Sequence, residues 1–315
     1  MEDQAEKLRE IVRNKSAAQS ASTQSVGSST QSVQTGAHLQ NGTPSKREGK
    51  RTRIITVASG KGGVGKTNMS VNMAISYARM GKKVVVMDVD LGLSNVNILL
   101  NAIPKYNLLH VIRKQKTMKE ILVDTPYGIS FIGGASGFSE IANMAQEERQ
   151  NFINEMQTLA SFDVIILDTG AGVSDNVIDF TAPADDVVIV TNNEPTAITD
   201  AYGIIKIIAT KIDNAEMGIN LIVNRVSSAA EAGKVADKLI KVVQQFLNVK
   251  LEYLGFVYED DSVVQAVVKQ KPFTVEAPRC KASQCVGHIV GRLEKTEVRT
   301  AGFGGLFKRM FGVQV

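Results

Sequence analysis

The octapeptide GKGGVGKT, Gly60–Thr67, matches the phosphate-loop pattern GxxxxGK[ST] and stands directly after the apolar run RIITVA, residues 53–58. Its glycines allow successive backbone N–H groups to turn towards a phosphate, and the start of the following helix adds partial positive charge. In such loops the final lysine and threonine, here Lys66 and Thr67, hold phosphate and Mg²⁺. The candidate nucleotide-binding residues are therefore Gly60, Lys61, Gly62, Gly63, Val64, Gly65, Lys66, Thr67 and Asn68.

Further apolar runs predict the rest of the fold. They are KVVVMDVD (83–90), DVIILD (163–168), DVVIVT (186–191), INLIVN (219–224) and LEYLGFV (251–257). Because these runs are continuously apolar rather than alternating, we expect strands that are buried on both faces, with helices as the crossovers between them. The sequence therefore predicts a doubly wound α/β domain with a mostly parallel sheet, which binds ligands at the carboxyl ends of its strands.

Acidic residues follow two of these predicted strands. Asp88 and Asp90 stand two residues apart in MDVDLGLSN, and Asp168 ends the run DVIILD. Each could be a solvated strand cap, but together with the phosphate loop they favour a site for a nucleotide and its metal. The candidate Mg²⁺ ligands, in part through water, are Thr67, Asp90 and Asp168.

Composition excludes several classes of function. The 315 residues include 36 basic and 32 acidic side chains, a balance too even to indicate nucleic-acid binding. No arrangement of Ser, His or Cys suggests covalent catalysis, so phosphoryl transfer to water is the chemistry that fits. Cys280 and Cys285 have no zinc or thioredoxin spacing, which favours structural thiols over a metal or redox role. We expect neither a secretory signal nor a membrane-spanning segment.

Both ends of the chain differ from the middle. The N-terminus has a narrow apolar stripe at helical spacing, which either orders on a partner or is a solvated charged terminus. The other end predicts an amphipathic helix, which is either an interfacial helix or a last core helix. In either case its apolar residues would lie opposite Lys308 and Arg309. Those residues include Phe303, Leu306, Phe307, Met310 and Phe311. The predicted parts are an N-terminal helix (1–15), a flexible linker (16–50), an ATPase domain (51–300) and an amphipathic membrane-targeting helix (301–315).

The loop with its early lysine, the segment DVDLGLSN and the turn DTGAG together resemble the deviant Walker A ATPases of the MinD/ParA type. The resemblance implies that ATP with Mg²⁺ joins two chains, and that Lys61 reaches the partner's phosphates. It also implies that four residues take part in catalysis, namely Lys61, Lys66, Asp90 and Asp168. Of these, Asp90 would orient the attacking water. It further implies that Asn224 and the adjacent Arg225 contact adenine.

The N-terminal sequence DQAEKLR, Asp3 to Arg9, resembles the DQAxxLR motif of the FlhG family of flagellar number regulators, also called YlxH or FleN. That resemblance implies stimulation of the GTPase FlhF, with Gln4 as the acting residue. Other implied partners are flagellar switch-ring proteins and an anionic membrane surface at the inner face of the cell membrane. The residues of this motif proposed to contact the partner are Asp3, Gln4, Leu8 and Arg9.

Several alternatives remain open at this point. A MinD-type division-site ATPase is disfavoured because about fifty residues precede the first strand. A ParA-like DNA-segregating ATPase would use the basic cluster at 46–53, which lacks aromatic residues for stacking. A non-enzymatic nucleotide switch, in which hydrolysis is only a slow timer, is a further alternative. An electron-donating iron–sulfur relative is disfavoured because neither cysteine lies near the acidic segments.

Overall fold

The computed structural model describes residues 51–90, 94–134, 146–212 and 217–296. The predicted N-terminal helix, the linker and the membrane-targeting residues lie outside these ranges, as do Asp3, Gln4, Leu8 and Arg9. Within the described residues the strands form one eight-stranded sheet. Its strands are β1 Arg53–Ser59, β2 Val84–Asp88, β3 Leu122–Asp124, β4 Ser130–Ile132, β5 Val164–Ala171, β6 Asp186–Thr191, β7 Gly218–Val226 and β8 Leu251–Tyr258.

The strand order is β3-β4-β2-β5-β1-β6-β7-β8. All described pairings are parallel except that of β3 with β4. β1 lies between β5 and β6, so the loop that follows it opens at the centre of the sheet's carboxyl edge. The predicted mostly parallel, doubly wound fold is confirmed.

Helices cover both faces of the sheet. They are α1 Lys66–Arg79, α2 Val96–Leu99, α3 Leu108–Ile112, α4 Met118–Ile121, α5 Gln146–Gln157, α6 Asp175–Thr181, α7 Pro195–Lys211, α8 Ala229–Leu247, α9 Asp261–Val268, α10 Phe273–Glu276 and α11 Lys281–Lys295, with a 3₁₀ turn at Thr158–Ser161. Neighbouring strand residues alternate between the two apolar layers. Ile54 packs with residues of α7 and α8, and Ile55 packs with residues of α1 and α11. This two-sided burial explains why the strands are continuously apolar.

The six strands predicted from apolar runs are all present, with small differences at their ends. β2 stops at Asp88 rather than at residue 90, because the chain turns there and the Asp88 side chain accepts from the Asp90 N–H at 3.1 Å. β3 and β4 were not predicted. Among the described residues, no helix is both long and apolar enough to cross a lipid bilayer.

Candidate functional site

The phosphate loop joins β1 to α1 in a conformation that its glycines make possible. Gly63 and Gly65 have φ values of 78° and 96°, in the left-handed region where a side chain is strained. Gly65 is the N-cap residue of α1, so the unpaired N–H groups of the helix begin at the loop. A cavity of about 360 Å³ adjoins it, lined in part by Lys61, Lys66 and Thr67. The loop therefore supplies both the backbone donors and the helix terminus that an anion needs.

Asn224, which lies on β7, holds the phosphate loop in position. Its Nδ2 donates to the Val64 carbonyl oxygen at 2.8 Å, and the side chain is buried at the end of β7. A Cβ atom at Gly65 would lie 2.3 Å from that Nδ2, so glycine is required for this close approach. Arg225 lies apart, exposed at 3.5 Å from Glu259. The adenine-contacting role predicted for Asn224 and Arg225 stays a prediction, and the structure adds a loop-positioning contact for Asn224.

Lys61 is bound to the start of α7 in its own chain. Its Nζ donates to Glu194 Oε2 at 2.6 Å and to Thr196 Oγ1 at 2.8 Å. The ammonium of Lys61 is the largest cause of the lowered pKa of Glu194, and Asn192 adds a second hydrogen bond to that carboxylate. Glu194 and Thr196 were not predicted as site residues, because they are far from the loop in sequence and match no motif.

Asp168 is almost fully buried beside the phosphate loop. Thr67 Oγ1 donates to its Oδ2 at 2.8 Å, and Ser70 Oγ donates to its Oδ1 at 2.7 Å. Burial raises the pKa of Asp168, while the nearby Lys66 charge and the two hydroxyls oppose that rise. The helix α1 therefore places two hydroxyl groups against the Asp168 carboxylate on β5, those of Thr67 and Ser70. The contact of Ser70 was not predicted from the sequence.

Asp88 and Asp90 differ in environment although both follow β2. Asp88 is fully buried, and its Oδ2 accepts from Ser94 Oγ at 2.6 Å. Burial raises the pKa of Asp88 to about 6; the bond from Ser94 opposes this rise and the neighbouring Asp168 adds to it. Asp90 is partly exposed, lines the cavity and lies over Gly170, where a Cβ atom would be 3.2 Å from its Oδ1.

These oxygen atoms fit a magnesium ion. The Thr67 hydroxyl and the Asp168 carboxylate are in contact at the phosphate loop, and Asp90 borders the same cavity. Mg²⁺ is usually bound in proteins through one or two carboxylates together with substrate phosphates and water. The three predicted ligands therefore lie on one side of the loop, with a chemistry that suits the ion.

The two cysteines lie away from this site. Cys280 is the N-cap residue of α11, where its Sγ accepts from the Ser283 N–H at 3.4 Å. Burial raises the pKa of the Cys285 thiol, which disfavours the reactive thiolate. In the described ranges no group of three or more His, Cys, Asp or Glu residues could hold a metal. These contacts fit the interpretation of both cysteines as structural thiols.

Comparisons with known proteins agree with this geometry. The Antiactivator FleN of Pseudomonas aeruginosa is 38% identical to this chain, over 73% of the chain and 82% of that protein. The Flagellum site-determining protein YlxH of Helicobacter pylori is 34% identical, over 82% of the chain and 90% of that protein. Among solved structures, the septum site-determining protein MinD of Pyrococcus horikoshii, complexed with Mg-ADP, has a TM-score of 0.63 at 21% identity, covering 78% of this chain and 96% of that one. At that identity the likeness shows the fold alone.

The family comparison covers the whole of the site described above. Residues 55–273 match the family described as the CobQ/CobB/MinD/ParA nucleotide binding domain, and this range contains the phosphate loop, both acidic segments and Asn224. This range and the alignments with FleN and YlxH each extend over well more than half of the chain. This chain belongs to the CobQ/CobB/MinD/ParA nucleotide-binding family.

Proposed function

We propose that this protein is an ATPase that dimerises with ATP and regulates the number and placement of flagella. The observation that carries the proposal is the phosphate loop, in which Lys66 serves the loop's own site while Lys61 lies at its mouth against the start of α7. The flagellar context comes from the relative YlxH, which is named a flagellum site-determining protein, and a regulatory role is supported by the name of FleN, an antiactivator.

The proposed hydrolysis uses charge and position rather than a covalent intermediate. Bound Mg²⁺ would neutralise charge on the phosphates, and Thr67 and Asp168 would hold it. Lys66 and the N–H groups at the start of α1 bind phosphate oxygens. The partly exposed Asp90 orients water on the cavity side of the loop. Lys61 adds positive charge to the site of a second chain, as an arginine finger does in trans.

Membrane residence would follow from dimerisation. The predicted tail places its apolar residues on one helical face, and a single amphipathic helix of this length binds a bilayer weakly. Two such tails in one ATP-bound dimer would bind with avidity, so hydrolysis would release both. In this proposal the protein exchanges between the cytoplasm and the inner face of the cell membrane. The expected surface is one with anionic lipids, which attract Lys308 and Arg309.

The N-terminal segment would connect this ATPase to the GTPase FlhF. A peptide of residues 1–15 should raise GTP hydrolysis by FlhF, and the same peptide with Gln4→Ala should not. If the intact peptide has no effect on FlhF, the flagellar assignment loses its main functional support. Switch-ring proteins are further proposed partners, which pull-down with ATP-bound and ADP-bound protein would test.

Single-turnover ATP hydrolysis separates the enzyme from a passive nucleotide switch. We expect hydrolysis to be faster with vesicles that contain phosphatidylglycerol than with neutral vesicles, because the dimer then accumulates on the membrane. Asp90→Ala should bind ATP and dimerise but hydrolyse it far more slowly. Absence of stimulation under every lipid and partner condition would favour the switch with a slow timer.

A further inference from the structure

The parallel strands begin at one edge of the sheet, which we call the amino edge. Arg53 and Val84 both pair with Val164 at the start of β5, and Asp186 pairs with Gly218 at the start of β7. The cavity at the phosphate loop lies at the opposite edge, because that loop follows the end of β1. The nucleotide site therefore makes no use of the amino edge.

The described part of the chain ends at the amino edge. Its last residue is Thr296, whose Oγ1 accepts from Arg53 Nη2 at 2.7 Å where β1 begins. The predicted membrane tail starts five residues later, a reach of at most about 18 Å. The carboxyl edge lies roughly 23 Å farther away, since β1 has seven residues. A tail that lies in a bilayer therefore keeps the amino edge close to the lipid.

Two large apolar side chains are exposed at this edge. Met80 is the C-cap residue of α1, just before β2, and is 50% exposed. Phe246 lies in the last turn of α8, just before β8, and is 66% exposed. β2 and β8 stand two and three strands from β1, which is roughly 10 Å and 14 Å along the edge. Exposed apolar side chains therefore flank the point from which the tail departs.

Two lysines at the amino edge have no acidic partner. Lys83 directly precedes β2, Lys295 lies in the last turn of α11, and both are exposed. Within the part of the chain that the structure describes, neither lysine forms an ion pair. Their ammonium groups are therefore available to an anion from outside the domain.

The nearby carboxylates already have partners in their own chain. Asp163 is buried and accepts from the Lys83 N–H at 2.7 Å. Three more carboxylates form ion pairs, which are Asp185 with Arg51, Asp186 with Arg53 and Glu294 with Lys82. Asp124, at the outer margin of the sheet on β3, accepts from Ser130 Oγ. The unpaired lysines near Thr296 are therefore not opposed by unpaired carboxylates among these residues.

The basic cluster at 46–53 is attached to the same edge. Arg51 bonds to Asp185 Oδ1 at 2.8 Å, and Lys46, Arg47 and Lys50 precede Arg51 by one to five positions, with a single acidic residue among them. These side chains therefore belong to backbone that stays within about 18 Å of Arg51. Clusters of lysine and arginine beside a membrane anchor are typical of binding to anionic lipids.

We propose that the amino edge of the sheet docks on an anionic membrane surface, as a second contact beside the tail. Lys83 and Lys295 pair with lipid phosphates, and Met80 and Phe246 enter the interface. A single amphipathic helix binds a bilayer weakly, and stable binding commonly combines an apolar anchor with a basic patch. This inference rests on the proposed membrane residence of the tail, and it names the part of the folded domain that faces the lipid.

The test measures flotation of the full-length protein, with ATP, on vesicles of phosphatidylcholine alone or mixed with phosphatidylglycerol. Lys83→Glu/Lys295→Glu should weaken binding to the anionic vesicles by at least about tenfold and leave binding to neutral vesicles unchanged. Lys83→Glu alone should weaken it several-fold, which keeps the test valid if the double variant does not fold. Phe246→Ser should also weaken it several-fold.

Two control variants make the same chemical changes away from the amino edge. Lys234→Glu/Lys238→Glu alters the net charge equally, at exposed positions nearer the start of α8. Ile103→Ser replaces a side chain that is 94% exposed, beside Pro104, which lies near Gly133 at the carboxyl edge. Both should bind vesicles like the wild type. Nucleotide binding should be the same in all of these variants, which confirms that they fold.

The tail variant Phe307→Asp/Phe311→Asp separates this inference from the proposed function. If the wild type binds anionic vesicles, the tail variant does not, and the amino-edge variants bind like the wild type, the second contact is wrong and the tail anchor stands. If the wild type binds no vesicles, both the membrane residence and this inference are wrong. A preference for duplex DNA over anionic vesicles that is lost in Lys83→Glu would also overturn the inference.

Discussion

Lys61 Nζ lies 2.6 Å from Glu194 Oε2, which joins the mouth of the phosphate loop to the start of α7 within a single chain. Thr196 accepts a second hydrogen bond from the same ammonium. Both members of the pair are partly exposed, with 38% and 49% of their side-chain surface accessible. Exposed ion pairs are weak, so this pair can position Lys61 within the single chain and still break easily when Lys61 moves.

The Lys61–Glu194 pair should compete with dimerisation. If Lys61 reaches a second chain, it must leave Glu194, and Glu194→Gln should make that easier by removing the carboxylate charge. We expect ATP-dependent association of the variant to tighten by up to about fivefold, measured by sedimentation velocity. The matched control is Glu252→Gln, which alters the exposed pair between Glu252 on β8 and Lys250 just before that strand. Weaker association of Glu194→Gln would mean that Glu194 itself contributes to the dimer.

The two lysines of the loop should fail in different ways. Lys66→Ala removes a positive charge that acts on the buried Asp168 at the phosphate site and lowers the pKa of that carboxyl, so nucleotide affinity should fall by roughly ten- to a hundredfold. Lys61→Ala should keep most nucleotide binding but lose ATP-dependent dimerisation and hydrolysis. Equilibrium binding of a fluorescent ATP analogue and sedimentation would distinguish them. Identical defects in both variants would contradict a role in trans for Lys61.

Gly65 should tolerate a methyl group poorly, because both its backbone conformation and its close approach to Asn224 require glycine. Gly65→Ala forces a left-handed conformation on alanine and places its Cβ against Asn224, which breaks the hydrogen bond to Val64. The strain and the lost buried bond together predict a cost of about 2–5 kcal/mol in the free energy of unfolding. Urea denaturation would measure it, and nucleotide binding should also be lost.

Gly81→Ala is the matched control for that substitution. Gly81 follows α1 with φ 79°, but no atom lies within 4 Å of an added Cβ. Gly81→Ala should therefore lower the free energy of unfolding only through the left-handed backbone conformation, by about 1–2 kcal/mol. Nucleotide binding should be retained. Equal destabilisation by the two substitutions would show that the contact with Asn224 is not important.

Local patterns were sufficient to predict the central sheet and the phosphate loop. Each of the six long strands is a continuous apolar run, because helices bury both of its faces, and GKGGVGKT requires only adjacent residues. β3 and β4 were missed because each has three residues, too few to give a periodic signal.

The contacts that were missed at the site connect residues far apart in sequence. Lys61 and Glu194 are separated by 133 positions, and Asn224 and Val64 by 160. Ser70 is close to the loop, but its bond to Asp168 depends on how α1 packs against β5. Side chains that are brought together only by packing leave no local pattern in the sequence. The sequence alone could therefore predict the phosphate loop but not the side chains that position it.

Asp88 should make the stability of the fold depend on pH. Its pKa is about 6 in the folded chain, against an ordinary value of 3.8, so between these values the folded state binds more protons than the unfolded state. Stability attributable to Asp88 is therefore greatest in its protonated form and falls as pH rises through this window. From about pH 4.5 to about pH 7 the loss should be about 2 kcal/mol.

Asp88→Asn tests this dependence because asparagine has a similar shape but does not titrate. The difference in unfolding free energy, variant minus wild type, should be about 2 kcal/mol more positive at about pH 7 than at about pH 4.5. The hydrogen bonds that asparagine loses to Ser94 and Val96 affect both pH values, so they cancel in this comparison. Urea titrations at the two pH values supply the four free energies. A difference that does not change with pH would show that Asp88 is ionised in the folded chain throughout this range.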